Sequence, residues 1–562
     1  MKYNFHLLLI LLPFFGQAQK KAVAYEVKYD LYENEQKTAD QFSFIYDQGV
    51  VYLSKPDSRN QQFIDFNKKE NSTTLQYEDQ TYRKVTPFAK LPEGRMDERS
   101  KPLLGFACRF ATFSYFSNTI DVWFTEEAKA KGSPYSNYLP SENALVLEIS
   151  VNGSLRMRAS SIEKKPHFNA ANRLTGSEIL VNDAEFEELK INSRYKRFTV
   201  FSEEKINFDP SILPAQERNL ALDSVYHFSK GAVILKKIKL PAEAKNSEFV
   251  FAKLTCRSNG DAYDRTGSVF MVPAQDSSLV SVLTAYQFGL EKLPIFTDNQ
   301  GNEYQGIVQE KNYAPPVEWM RFYTSFGVGN FNDKRKINHY DWAENAVYKQ
   351  DISALVPNNV DEFWVGVFIG NYDKGGHIVS LELDFYPSFE APDSLATEKF
   401  ISPLFSTVNT LEMSGQNYGS LFGNDTLNVT FTIPENTTNL NLLYTSTGHG
   451  GWEGGDEFNP KMNRIFIDGK EIFAIVPWRT DCATYRFYNP ASGNFENGLS
   501  SSDLSRSNWC PATITPPYQI PLTNLQPGMH TLEVIIDQGV KEGNNTSHWN
   551  VTGILTGKRP KI

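Results

Sequence analysis

Apolar and polar positions alternate along most of this chain. Tyr25, Val27, Tyr29 and Leu31 interleave with Glu26, Lys28 and Asp30, the period of two expected of a half-buried strand. Leu145, Leu147, Ile149 and Val151 repeat the pattern, and Asn152-Gly153 turns the chain into Leu155, Met157 and Ala159. Leu440, Leu442 and Tyr444 predict another strand, and Arg464 to Ile467 runs through Asp468-Gly469 into its hairpin partner. Asn-Gly and Asp-Gly tolerate the positive φ angles of a two-residue hairpin turn. Leu532, Val534 and Ile536 close the series. The exception is an acidic stretch after Asn182, which predicts a short helix capped by that asparagine.

The fold class that follows is all-β, built of antiparallel sandwiches. At 562 residues the chain exceeds one core. A mainly β region is expected over 20–205, with a linker over 206–218 around Phe208-Asp209-Pro210. Two further β domains are expected over 219–390 and 391–562, parted by the proline-containing stretch Pro387 to Asp393. Aromatic residues make up 13% of the chain, which suits strands and is compatible with sugar binding.

Residues 1–19 read as a secretory signal, with Lys2, the apolar run Leu7 to Phe15, and small residues at Gly16 and Ala18. A secreted or periplasmic protein without a transmembrane segment is expected, with a monomer as the default. The net charge of −10 and the lack of a basic run argue against nucleic acid as a partner. Four cysteines are too few for a disulfide scaffold, but an oxidising compartment permits bridges. Cys482 and Cys510 bracket a loop whose closure would be worth about 3–4 kcal/mol. No Cys-x-x-Cys occurs and the histidines are scattered, so no metal site is expected.

Three clusters are candidates for chemistry. Thr447 to Phe458 packs five glycines around His449, Trp452, Glu453, Asp456 and Glu457. Cys256 to Arg265 carries Asp261, Tyr263, Asp264 and Arg265. Ser505 to Pro511 carries Arg506 and Trp509 beside Cys510. Taken singly, each also reads as a solvated loop, an ion-paired turn or a packed loop base. Their order, each at a strand edge, resembles the bacterial peptide-N-glycosidase F family, over roughly residues 220 to 560.

That resemblance implies two tandem eight-stranded antiparallel jelly rolls with the site in the cleft between them, preceded here by an extra bowl-like domain. It implies an amidase that hydrolyses the bond between GlcNAc and asparagine in N-linked glycoproteins, with no cofactor. Asp264 matches the principal catalytic carboxylate and Glu457 the second. Arg265, Tyr263, Asp261, His449, Trp452, Arg506 and Trp509 fall at substrate-binding positions, and Cys482 with Cys510 at a family disulfide. Departures are clear. Gly260 stands where a second cysteine is usual, Tyr263 replaces a tryptophan, and Thr447 replaces another. No acid stands between Val367 and Asn371, where a third carboxylate is expected, and Asp373 is the nearest.

The chemistry needs an activated water, a home for the oxyanion and a proton for the departing glycosylamine, which two carboxylates of unequal pKa can serve. Arg265 is expected to lower the pKa of Asp264. Glycosidic cleavage also uses two carboxylates, so an endoglycosidase competes. So does a non-catalytic N-glycan-binding protein or adhesin.

Overall fold

The computed structural model describes residues 23–53, 60–216, 220–242, 244, 247–273, 280–387, 397–417, 421–451, 455–494, 498–539 and 547–561. The expected signal sequence, most of the break at Pro387 to Asp393, and Trp452 with Glu453 lie outside the described residues. The chain divides into two compact units, Met1–Ser193 and Arg194–Ile562.

The first unit is one twelve-stranded sheet. Its opening strand, Val23–Glu33, lies inside the sheet, between Gln36–Asp47 and Leu155–Pro166. On one side consecutive hairpins run out to Gln80–Pro87, and on the other they run back from Leu145–Val151 to Arg95–Leu103. Val27 and Tyr29 are buried, as their alternation predicts. Leu145–Val151 departs from a half-buried strand. Leu145 and Leu147 enter one apolar cluster, and Val146 and Ile149 a second. Glu148, caught between them, is held by Lys101 and Arg158 at 2.8 and 2.7 Å. The helix forms over Asp183–Asn192, with a capping box in which Asn182 accepts from Glu185 N and the Glu185 side chain accepts from Asn182 N.

The second unit holds two sandwiches. Counted in chain order, the eight principal strands of the first are Lys196–Ile206, Val233–Lys239, Ser247–Ser258, Thr266–Val272, Val317–Tyr323, Ala346–Asp351, Glu362–Ile369 and His377–Pro387. One sheet orders them first, eighth, third, sixth, and the other second, seventh, fourth, fifth. The second sandwich uses Thr397–Ser406, Leu427–Ile433, Thr438–His449, Asn463–Ile467, Lys470–Ile475, Tyr518–Pro521, Gly528–Ile536 and His548–Pro560, in the same two orders. The first adds Val225–Phe228 at one edge and borrows Ile514–Thr515 from the second at the other.

Two boundaries move relative to the sequence expectation. Lys196–Ile206 pairs with His377–Pro387, so the domain break falls after Ser193 rather than near 205. The expected linker therefore lies inside the second unit. Asn207 and Phe208 bond back to Gly231 and Asp373. The apolar alternation of 196–206 marks a strand but not the sheet it joins.

The sandwiches share a core that includes Trp319 and Met320 of the first with Leu443 and Ile554 of the second. Arg321 crosses the junction fully buried. It forks onto Glu318 at 2.8 and 2.7 Å and donates to Thr447 Oγ1 at 3.1 Å and Asn550 O at 2.7 Å. Such a pair holds because geometry and extra hydrogen bonds repay desolvation. It also fixes the strand that carries His449 against the first sandwich.

Candidate active site

Asp264 sits in the loop between Ser247–Ser258 and Thr266–Val272, and Glu457 in the loop that leaves Thr438–His449. The glycines of the second loop have a steric cause. A Cβ on Gly455 would lie 1.7 Å from Gly450 O, and Gly450 itself has φ +118°. Only bare backbone lets the loop fold back on itself. Glu457 is pinned there by its N–H to Gly450 O at 3.3 Å and by Ser507 N to its carbonyl at 2.9 Å. Asp456 points inward, accepting from Trp549 Nε1 at 2.7 Å.

Arg506 joins the two loops. Its Nη1 donates to Asp264 Oδ2 at 3.0 Å and also to Glu457 Oε1. Nη2 donates to Ser501 O at 2.6 Å and Ser501 Oγ at 3.0 Å. The guanidinium lies over the Trp509 ring at 4.4 Å and that of Phe458 at 5.1 Å. Its backbone pairs with Arg479, which lies three residues before Cys482, and a disulfide joins Cys482 to Cys510. One guanidinium thus faces two carboxylates from separate sandwiches.

Electrostatics follow from that imbalance. Burial pushes the Asp264 carboxyl up, and Arg506 only partly opposes it. Burial pushes Glu457 up as well, and the Asp264 charge adds to the rise. With one guanidinium bonded between two desolvated carboxylates, both are biased toward holding a proton, by burial first.

A cavity of ≈ 300 Å³ opens on the pair. Of the residues expected at the site, Asp264, Arg265, His449, Glu457 and Trp509 line it. His449 is buried and held well below its ordinary pKa, first by burial and then by nearby His548, Arg321 and Arg506, so it is neutral. Thr447 Oγ1 accepts from Arg321 and from Tyr323 OH at 2.7 Å, which leaves its own hydrogen for His449 Nε2 at 3.0 Å. The network therefore assigns the proton of His449 to Nδ1. Trp509 is stacked on Tyr323 at 4.2 Å, and its Nε1 donates to Gly448 O at 3.0 Å.

Three expectations change. Asp261 is buried, and its carboxylate accepts from Arg265 Nε at 2.8 Å and Tyr263 N at 3.1 Å, so it shapes the loop instead of meeting a ligand. Arg265 is bonded to Asp261; its charge still lowers the Asp264 pKa as expected, but Arg506 is the larger cationic influence there. Arg506 is itself only 1% exposed, clamping the carboxylates rather than offering itself to solvent. Tyr263 is 61% exposed, its ring against Arg265 at 5.0 Å.

Sequence reasoning also missed residues. Glu412, Tyr372, Asn409, His548 and Asn550 line the same cavity. Glu412 bonds Tyr372 OH, and burial raises its pKa. It reaches space left by Gly370, where a Cβ would sit 3.1 Å from Glu412 Oε2. Gly370 falls within the stretch expected to bear an acid. Asp373 instead caps a turn, accepting from Gly375 N at 2.7 Å and Gly376 N at 3.0 Å. No local motif marks Glu412; only the fold brings it to the cavity.

Family models for peptide-N-glycosidase F match residues 197–385 (N terminal) and 417–556 (C terminal), and one for an N-glycanase peptide N-terminal domain matches 34–184. The solved structure of PNGF-II in a P21 crystal form is 37% identical, covers 96% of this chain and 100% of its own, and superposes with a TM-score of 0.78. This chain belongs to the peptide-N-glycosidase F family. The C2 form of PNGF-II gives 38% identity, coverage of 96% and 99%, and a TM-score of 0.71. PNGase F, a glycosylasparaginase from Flavobacterium meningosepticum, is more distant at 14% identity and a TM-score of 0.42, covering 65% of this chain and 96% of its own. No match is found among curated proteins. Members of this family act as peptide-N-glycosidases, so the family implies a glycopeptide substrate. Among the described residues no helix is long and apolar enough to cross a membrane.

Proposed function

We propose that this protein hydrolyses the GlcNAc–asparagine amide of N-linked glycopeptides, releasing the glycan as a glycosylamine and leaving aspartate. The observation that carries the reading is the shared guanidinium, Arg506 Nη1 bonded to both Asp264 and Glu457 at the wall of the cavity. It gives a two-carboxylate site one proton, which is the inventory amide hydrolysis needs. Asp264, ionised, orients a water and takes its proton as oxygen attacks the carboxamide carbon. Glu457, protonated, donates to the amide nitrogen as the C–N bond breaks. Neutral His449 contributes an Nδ1–H donor, and Glu412 with Tyr372 offers further hydrogen bonds to sugar hydroxyls.

The arrangement weighs against an endoglycosidase. Such enzymes flank the scissile glycosidic bond with their two carboxyl groups, and here the space between the pair is filled by Arg506. A binding protein without turnover would gain nothing from a buried carboxylate pair that costs stability. We read each sandwich as a jelly roll, on the strand orders they share, and the first unit as the bowl-like accessory domain. We further propose export, supported by the leader-like N-terminus and the Cys482–Cys510 bridge.

Incubation with a high-mannose glycopeptide in heavy-oxygen water tests the activity. The proposal requires label in the new aspartate carboxyl group. Glycan release that leaves the peptide unlabelled, as asparagine or GlcNAc-asparagine, indicates glycosidase action, and binding without release indicates a lectin-like role; either outcome overturns the reading.

A further inference from the structure

Two side-chain amides in the cavity wall have unmet hydrogen-bonding capacity. Asn409 and Asn550 both line the cavity and are only 7% and 4% exposed. Asn409 Nδ2 and Asn550 Oδ1 are buried without a hydrogen-bond partner. A buried polar atom left unpaired costs about 1–3 kcal/mol, and the side chains that carry these two atoms line the cavity, where a bound group can pair them. The two come from adjoining backbone. Thr407 N donates to Val551 O at 2.9 Å, Thr407 Oγ1 donates to Trp549 O at 2.7 Å, and Val551 N donates to Thr407 Oγ1 at 2.8 Å. Those bonds bracket Asn550 and hold Asn409 two residues beyond the crossing. Asn550 is anchored a second time, through its carbonyl, by Arg321.

We propose that Asn409 and Asn550 recognise the acetamido group of the sugar attached to the scissile amide, and so set the preference for GlcNAc at that position. The inference rests on the amidase reading and adds the residues that choose the sugar. A donor and an acceptor, both neutral and both fixed, complement a group that itself presents one C=O and one N–H. On the same cavity Asp264 and Glu412 supply acceptors for hydroxyls, and the proton of Glu457 is committed to the leaving nitrogen. An acetamido group at C2 stands next to the anomeric carbon that bears the amide. Sharing one cavity of ≈ 300 Å³ with Asp264 and Glu457 is what such a neighbour requires. Sites built to hydrogen-bond a polar group reject analogues lacking it, because their own buried atoms are then left unpaired.

The test compares glycopeptides carrying GlcNAc-Asn or glucosyl-Asn, identical otherwise. Wild type should favour GlcNAc by at least about tenfold in kcat/KM, expressed mainly in KM. Asn409→Ala and Asn550→Ala should each cut that ratio by about three- to tenfold. Equal wild-type rates on the two sugars overturn the assignment while leaving the amidase reading intact. So does an equal loss on both sugars in the variants, which would place the asparagines on the scissile amide. Should wild type release neither, the amidase reading fails instead. The asparagine pair is then judged by saturation-transfer NMR with free N-acetylglucosamine against glucose, where preferential binding of the former that is lost in Asn409→Ala supports it and equal binding overturns it.

Discussion

Two arginines of the second unit are almost wholly buried, and they are used in opposite ways. Arg321 faces one carboxylate, Glu318, as a two-point fork, and its remaining donor serves Thr447 and Asn550. Charge balances charge, and Glu318 is further satisfied by Ser268 and Thr552. Arg506 faces two carboxylates with a single nitrogen, and its Nε is buried without a partner. The first arrangement is closed and structural. The second sets two carboxylates against one directly bonded cation, an imbalance that favours holding a proton. Burial alone does not tell a structural ion pair from a reactive one; the count of charges does.

Four outcomes can break or sharpen this contrast. Asp264→Asn should lower glycan release by about 10²–10⁴, with the circular dichroism spectrum unchanged, because it removes the water-orienting base and not a strut of the fold. Arg321→Met should leave release secondary to a stability loss of about 3–5 kcal/mol, read as a fall in urea midpoint, since Glu318 is then buried unpaired. Adding Glu318→Leu to that variant should restore most of the loss. Replacing both Cys482 and Cys510 by serine should cost about 3–4 kcal/mol by the same readout and loosen the Arg506 loop.

The smallest effect depends on pH. The Glu457 carboxyl is raised in the folded state by burial and by Asp264. Its stability contribution is therefore complete below the unfolded carboxylate value, about 4, and is lost as pH rises through the higher folded value. Glu457→Gln lacks that titration. Its Tm relative to wild type should climb as pH rises from about 4 to about 7, by roughly 2–4 °C for each kcal/mol recovered. A difference that is flat with pH would mean the two arginines are not distinguished by charge count.

Much of this was legible in the sequence, for identifiable reasons. Strand alternation, the Asn152-Gly153 and Asp468-Gly469 turns and the Asn182 cap are local, and each element formed where its residues directed. Asp264 and Glu457 were recognisable through the resemblance of their motifs, in order, to the peptide-N-glycosidase F family, and both line the cavity. Partnership was not legible. Asp261 and Asp264 stand three residues apart in one loop with Arg265 beside them, and nothing local tells which aspartate takes that arginine. Arg506, 242 positions from Asp264, claims the other. Glu412, Asn409 and Asn550 carry no motif, and reach the site only because Thr407 bonds to the strand bearing Asn550. Gly370 shows the same limit from the other side: an acid absent from its expected strand is matched by one from a distant segment filling the space.

The most direct test is to count the proton. Infrared difference spectroscopy at mildly acidic pH, above the ordinary carboxylate range, should show in wild type one protonated carboxyl band beyond those of other buried acids such as Glu412. That band should vanish in both Asp264→Asn and Glu457→Gln, because one guanidinium suffices to ionise the carboxylate that remains. A wild type without the band, or a band that survives in both variants, would contradict the shared proton between Asp264 and Glu457.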